Sequence, residues 1–160
     1  MEFDIGAIKH LGLQMYSTLP PVIAELVSNA WDADAPKVEI TIPTTPLTQG
    51  TEIVIKDYGD GMSDDDVRNA YFIVGRDKRL AEHRDTTKKG RKVHGRKGIG
   101  KFSAFGIANK IEVETVKDGE ISHFVLDYEA MARAAGNREI EIPPLNPTNT
   151  IKEGTKVTLK

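Results

Sequence analysis

Cysteine is absent from all 160 residues, which excludes disulfides and thiolate metal sites. That absence fits a reducing compartment, and the expected location is cytoplasmic. No run of about 18 apolar residues occurs, so no membrane span is expected. The N-terminus, Met1-Glu2-Phe3-Asp4, has no basic region followed by an apolar run, so no secretory leader is expected. Internal repeats and low-complexity tracts are missing too. What remains is a chain with 39% apolar and 29% charged residues, ordinary for a globular protein and long enough for one domain with its own core.

The net charge of −2 hides an asymmetry. Residues 76–97 hold ten Lys or Arg against three acids, Asp77, Glu82 and Asp85. The rest of the chain is correspondingly acidic. Such a block is a solvated loop, a surface for a polyanion, or both. Residues 75–97 are also poor in apolar side chains and read as a long mobile loop, a length that is usually functional inside a compact domain.

Hydrophobic periodicity places the elements. Residues 5–16 read as a short amphipathic helix. A second helix covers 21–33, opened by Pro20-Pro21 and closed by Pro36, with Val22, Ile23, Leu26, Val27, Ala30 and Trp31 as its apolar stripe. Strands are expected over 38–42 and, more buried, over 52–56. Ser63 reads as an N-cap with acids behind it, leading a helix to about Phe72. A helix resumes over 101–108. A hairpin follows, with strands 110–116 and 121–126 turning at Asp118-Gly119. A short helix over 128–135 and a final strand over 155–159 complete the chain, whose abrupt end suggests a domain of a longer protein.

Three segments carry chemistry. Glu25 and Asn29 are four apart, so a helix puts a carboxylate and a carboxamide on one face, with Asp32 beside them. A carboxylate can take a proton from water and a carboxamide oxygen can hold a hard cation. Alone, two solvated polar residues on an amphipathic helix are the plainer explanation of the pair. In Asp57-Tyr-Gly59-Asp-Gly61, a strand runs into an aspartate and two glycines, which let backbone approach a ligand; an ordinary Gly-rich turn is the plain alternative. In Gly95-Arg-Lys-Gly98-Ile-Gly100-Lys101, glycines open a helix and leave N–H groups free for phosphate oxygens. This third segment is neither a Walker loop nor a dinucleotide fingerprint.

Taken together and in this order, these segments resemble the Bergerat-fold, or GHKL, ATPases. That superfamily includes the B subunit of DNA gyrase, the heat-shock-90 chaperones, histidine kinases, the MutL mismatch-repair proteins and the MORC proteins. Glu25-Leu-Val-Ser-Asn29-Ala is similar to its N box, Asp57-Tyr-Gly-Asp-Gly61-Met62 to its first glycine box and Gly95 through Phe105 to its second. Gly154-Thr155 is similar to its late Gly-Thr motif. The resemblance covers nearly the whole chain.

The resemblance implies one α+β domain over 1–160: a two-layer α/β sandwich with a mixed, mostly antiparallel sheet, helices on one face and an ATP lid over about 75–97. It implies ATP and Mg²⁺ as ligands. Glu25 would activate water and Asn29 would ligate Mg²⁺. Asp57 would bond the adenine amino group, supported by Gly59, Gly61 and Thr155, with Met62 packing on the base. Gly95, Gly98, Ile99, Gly100, Lys101 and Phe102 would present backbone to the phosphates, and Asp32 would take a supporting or adenine-pocket role. An ATP-driven homodimer through downstream domains is implied as well, with weak hydrolysis by the domain alone. A histidine-kinase-type phosphotransferase and a nucleotide-binding module with little hydrolysis are the rival readings. Nucleic-acid contact through the basic 76–97 block is a further expectation to test. His83 and His94 read as incidental.

Overall fold

The computed structural model describes residues 18–44, 50–71, 85–95, 100–133, 142–146 and 151–160. The helix expected over 5–16 falls outside them, as do His83, Gly98, Ile99 and parts of the basic block.

Helix α1 spans Leu19–Asp32. Its first turn has no side-chain cap from Thr18. Pro20 and Pro21 make one less necessary, because proline has no N–H to leave orphaned there. The helix is terminated by Asp34, ahead of the expected Pro36. Asp34 takes a left-handed φ of 58°. Its N–H donates to the Trp31 carbonyl and that of Ala35 to the Ala30 carbonyl, both at 3.0 Å. This is a Schellman ending with aspartate where glycine is usual.

Five strands form one sheet: β1 (Val38–Thr41), β2 (Ile53–Asp57), β3 (Lys110–Lys117), β4 (Glu120–Asp127) and β5 (Gly154–Leu159), in the order β1-β2-β5-β3-β4. Every pairing among them is antiparallel. Asp118 and Gly119, with φ of 52° and 81°, make the two-residue β3–β4 turn that Asp-Gly favours.

Directly opposed residues in antiparallel strands share a face, so the register aligns side chains into rows. Ile53, Leu159, Ile111 and Leu126 form one row, and Ile55, Val157, Val113 and Phe124 the next. Both are buried beneath Val22 and Leu26 of α1, Phe102 and Phe105, and Met131 of helix α3 (Tyr128–Arg133). The third row on the same face is polar: Asp57, Thr155, Thr115 and Ser122. The core therefore ends along one edge in hydrogen-bonding groups, and that edge is the floor of the candidate site.

The helix expected from Lys101 is a 3-10 segment, Gly100–Gly106. Three residues per turn put Phe102 and Phe105 on one side. Both are buried, and their rings stack with centroids 6.4 Å apart.

Helix α2 (Asp64–Asp66) begins at the Ser63 cap as expected and continues only as a π-helical turn, Val67–Tyr71. Its capping box is complete. Ser63 Oγ accepts from the Asp66 N–H at 3.2 Å, and Asp66 Oδ2 accepts from the Ser63 N–H at 3.1 Å. Lys117 Nζ donates to the same oxygen at 2.5 Å, tying α2 to the sheet. Burial pushes the Asp66 carboxyl up, but the Lys117 and Ser63 hydrogen bonds outweigh it and hold the group below the usual aspartate value. A lowered folded value means the contribution is full above the ordinary value and is lost as pH falls through the folded one. Asp66→Ala is expected to cost about 1 kcal/mol in urea unfolding at pH 7, the typical worth of a cap. The gap from wild type should narrow below about pH 4. A gap that widens there would contradict the assignment.

Candidate functional site

The polar face of α1 meets both ends of the second glycine segment. Glu25, partly buried, directs Oε2 at Gly100 so closely that a Cβ on Gly100 would overlap it. Two turns further along α1, Asp32 Oδ1 accepts from the His94 N–H and Oδ2 from the Gly95 N–H, each at 2.8 Å. A Cβ on Gly95 would lie 2.8 Å from Asp32 Oδ2. The two contacts are about 10 Å apart along the helix axis. Asn29, also partly buried, stands between them on the same face. The two described ends of the segment thus meet α1 at Asp32 and at Glu25, and a side chain at either glycine would have to push the facing carboxylate aside.

The first glycine box packs on the polar row. Asp57 Oδ1 accepts from the Gly59 N–H at 2.9 Å and from the Thr155 N–H at 3.3 Å. Its Oδ2 accepts no bond from the described residues. Burial pushes the Asp57 carboxyl above its usual value, against the two amide hydrogen bonds. Thr115, fully buried, knots the floor together. Its Oγ1 accepts from the Met62 N–H at 2.9 Å, and it lies 3.1 Å from both the Gly154 carbonyl and Thr155 Oγ1. Met62 packs against the core, and the Phe102 side chain is part of it. The backbone of Lys101 belongs to the 3-10 segment.

Residues 85–95 depart from the expected mobile loop. They form a compact turn closed by the Thr86–Lys92 bridge and by Val93 N–H donating to the Asp85 carbonyl at 3.0 Å. Trp31, expected on the apolar stripe, is instead 41% exposed and holds this turn. Its Nε1 donates to the Lys92 carbonyl at 3.0 Å, its ring stacks on His94 at 5.6 Å, and Arg91 lies 4.8 Å over it. Three cations of the turn are engaged within the fold, and Lys92 is exposed. Lys88 pairs with Asp60 at 2.8 Å, Lys89 Nζ donates to the Asp34 carbonyl at 3.0 Å, and Arg91 donates to the Ala35 carbonyl at 2.9 Å.

Sequence reasoning did not single out Asp34, Thr87 or Thr115. The acidic pair in Asp32-Ala33-Asp34 was the available signal. The partners lie 39 to 53 residues away and leave no local pattern.

Among the described residues, no helix is long and apolar enough to cross a membrane. A family model for the histidine kinase-, DNA gyrase B- and HSP90-like ATPases matches residues 16–158. Over its full length the chain is 36% identical to HgiDII of Herpetosiphon aurantiacus, a provisionally assigned type II restriction enzyme, of which it covers 25%. It is 28% identical to the chaperone protein HtpG of Mesorhizobium japonicum, with 99% of this chain and 27% of that protein aligned. For HtpG of Campylobacter jejuni the identity is 30%, with 91% and 25% aligned. The chain spans about a quarter of the length of these relatives. With the N box facing one glycine segment and the other lying on the polar row, the chain belongs to the histidine kinase-, DNA gyrase B- and HSP90-like ATPase family.

Proposed function

We propose that this domain binds ATP with Mg²⁺, hydrolyses it, and acts as a nucleotide-driven conformational or dimerisation switch within a longer protein. The observation that carries the reading is the convergence on one helix. The second glycine segment meets Glu25 at one end and Asp32 at the other, with Asn29 between. Backbone N–H groups of Gly98, Ile99, Gly100, Lys101 and Phe102 would face the phosphates, while Gly95, whose N–H Asp32 holds, would start the segment. Asp57 would use its open Oδ2 to accept from the adenine amine, with Gly59, Gly61 and Thr155 shaping the pocket around it.

The donor set suits the metal. Asn29 offers a hard oxygen, and among the described residues no group of three or more His, Cys, Asp or Glu could cage an ion alone. Mg²⁺ needs few protein ligands, keeping waters and phosphate oxygens instead. When bound, it would neutralise charge on the β- and γ-phosphate oxygens. Glu25, beside Gly100, would orient a water and hold its proton, which supports hydrolysis over transfer to a histidine. Lys89 and Arg91 are committed to the end of α1, which argues against these two cations as a nucleic-acid contact.

A binding titration tests the reading. ATP and ADP should bind wild type, ATP more tightly with Mg²⁺ than without. Asp57→Asn should weaken both by about 10- to 100-fold, the worth of one hydrogen bond to a charged group. No adenine-nucleotide binding by the wild type would sink the proposal.

A further inference from the structure

The C-terminal end of α1 carries the wrong charge for a helix. The negative end of the helix dipole attracts cations, yet Asp32 is the last helical residue, Asp34 follows, and the last turn holds no basic residue. Asp34 is also only 1% exposed, where an unpaired carboxylate is strongly disfavoured. Its compensation comes from the basic turn. Asp34 Oδ1 accepts from Thr87 Oγ1 at 2.5 Å and Oδ2 from the Lys89 N–H at 2.9 Å, and Arg91 Nε stands 3.8 Å away. Thr87 Oγ1 in turn accepts from the Arg91 N–H at 3.0 Å. Burial pushes the Asp34 carboxyl up, but these partners outweigh it and keep the group below the usual aspartate value. The positive block in the sequence is thus, over 89–91, the counter-charge of a helix end.

The same turn delivers the chain into the second glycine segment. Four residues after Arg91 comes Gly95, whose N–H is held by Asp32. Asp34 contacts none of the residues proposed to touch nucleotide, but the turn it fixes sets where Gly95 enters. We propose that Asp34 is a positioning residue: with Thr87, Lys89 and Arg91 it latches residues 85–95 onto the end of α1 and so sets the phosphate-facing backbone. This rests on the nucleotide reading above. The adenine side of the pocket is built on Asp57 and Thr155 of the sheet; the turn reaches the first glycine box through the Lys88–Asp60 pair, which neither variant below removes.

The test uses Asp34→Asn, which keeps one acceptor and tolerates a left-handed backbone, and Thr87→Val, which removes the partner from the other side. Amide hydrogen exchange without nucleotide reads the latch itself. The Lys89, His94 and Gly95 amides should exchange about tenfold faster or more while Ile111 and Val113 in the sheet stay protected. ATP affinity should fall about tenfold, and adenosine affinity should stay within about twofold. If the latch loosens and ATP affinity holds, Asp34 is only a structural clip and the proposal fails. If ATP and adenosine weaken together with the sheet amides, Asp34 serves general stability and the proposal fails again. Should wild type bind neither ligand, the nucleotide reading is overturned, and the positioning role with it, whatever the exchange data say of the latch.

Discussion

Glu25→Gln is expected to lower ATP turnover by about 10²- to 10⁴-fold while ATP affinity stays within about threefold. Glutamine keeps the length of the side chain and its fit against Gly100, where a Cβ would already collide with Oε2. What it loses is the capacity to hold a proton. If Glu25 orients and deprotonates the attacking water, the loss falls on the chemical step alone, because in the proposed reading binding would rest on Asp57, Asn29 and the glycine backbone. Steady-state phosphate release, paired with a binding titration on the same samples, separates the two quantities. A phosphotransferase working in this pocket has no water to activate and predicts little change in transfer. Unchanged hydrolysis in Glu25→Gln would remove the water-activation role, and an equal loss of binding and turnover would make the residue a structural part of the pocket.

The residues of that argument were readable from sequence because their constraints are local. A spacing of four on a helix puts Glu25 and Asn29 together whatever the rest of the chain does. A strand ending in Asp57-x-Gly-x-Gly announces a close approach of backbone. The Asp118-Gly119 turn and the Ser63 cap were legible for the same reason, and the structure has both. What escaped was set by distant partners. Trp31 fits the apolar stripe by period, yet Lys92, Arg91 and His94 claim its ring from 60 or more residues away. Pro36 looked like the helix stop, but Asp34 had already turned the chain, held there by Thr87 and Lys89. The basic stretch read as a solvated loop because its counter-charges, Asp34 and Asp60, lie on other elements. Helix type was not legible either. The pairing of Phe102 with Phe105 suits a three-residue turn, but only the core they fill selects it over an α-helix.

Gly61→Ala is expected to cost at least about 3 kcal/mol of stability. Gly61 has a φ of 64°, a region where an L side chain alone costs about 1–2 kcal/mol. Beyond that, a Cβ would drive into the Val116 carbonyl oxygen of β3 and reach 3.2 Å from the Gly154 carbonyl of β5. Neither neighbour can yield cheaply, since both are backbone and Val116 pairs with Gly154 in the sheet. Gly154 faces the mirror-image problem: at φ 109° it lies against the Asp57 carbonyl. Two glycines therefore let the first glycine box cross the sheet at backbone distance, where Met62 N–H can reach Thr115. A methyl at 61 should lift the box off that floor, breaking this hydrogen bond and pulling Gly59 and Asp57 out of register. In urea unfolding the midpoint should drop with little change in slope, because the surface exposed on unfolding is nearly the same. Any folded fraction should have lost most of its nucleotide affinity. A loss below about 1 kcal/mol would mean that the box has slack to rise off β3, and the close crossing would then not be what fixes Asp57 at the pocket floor.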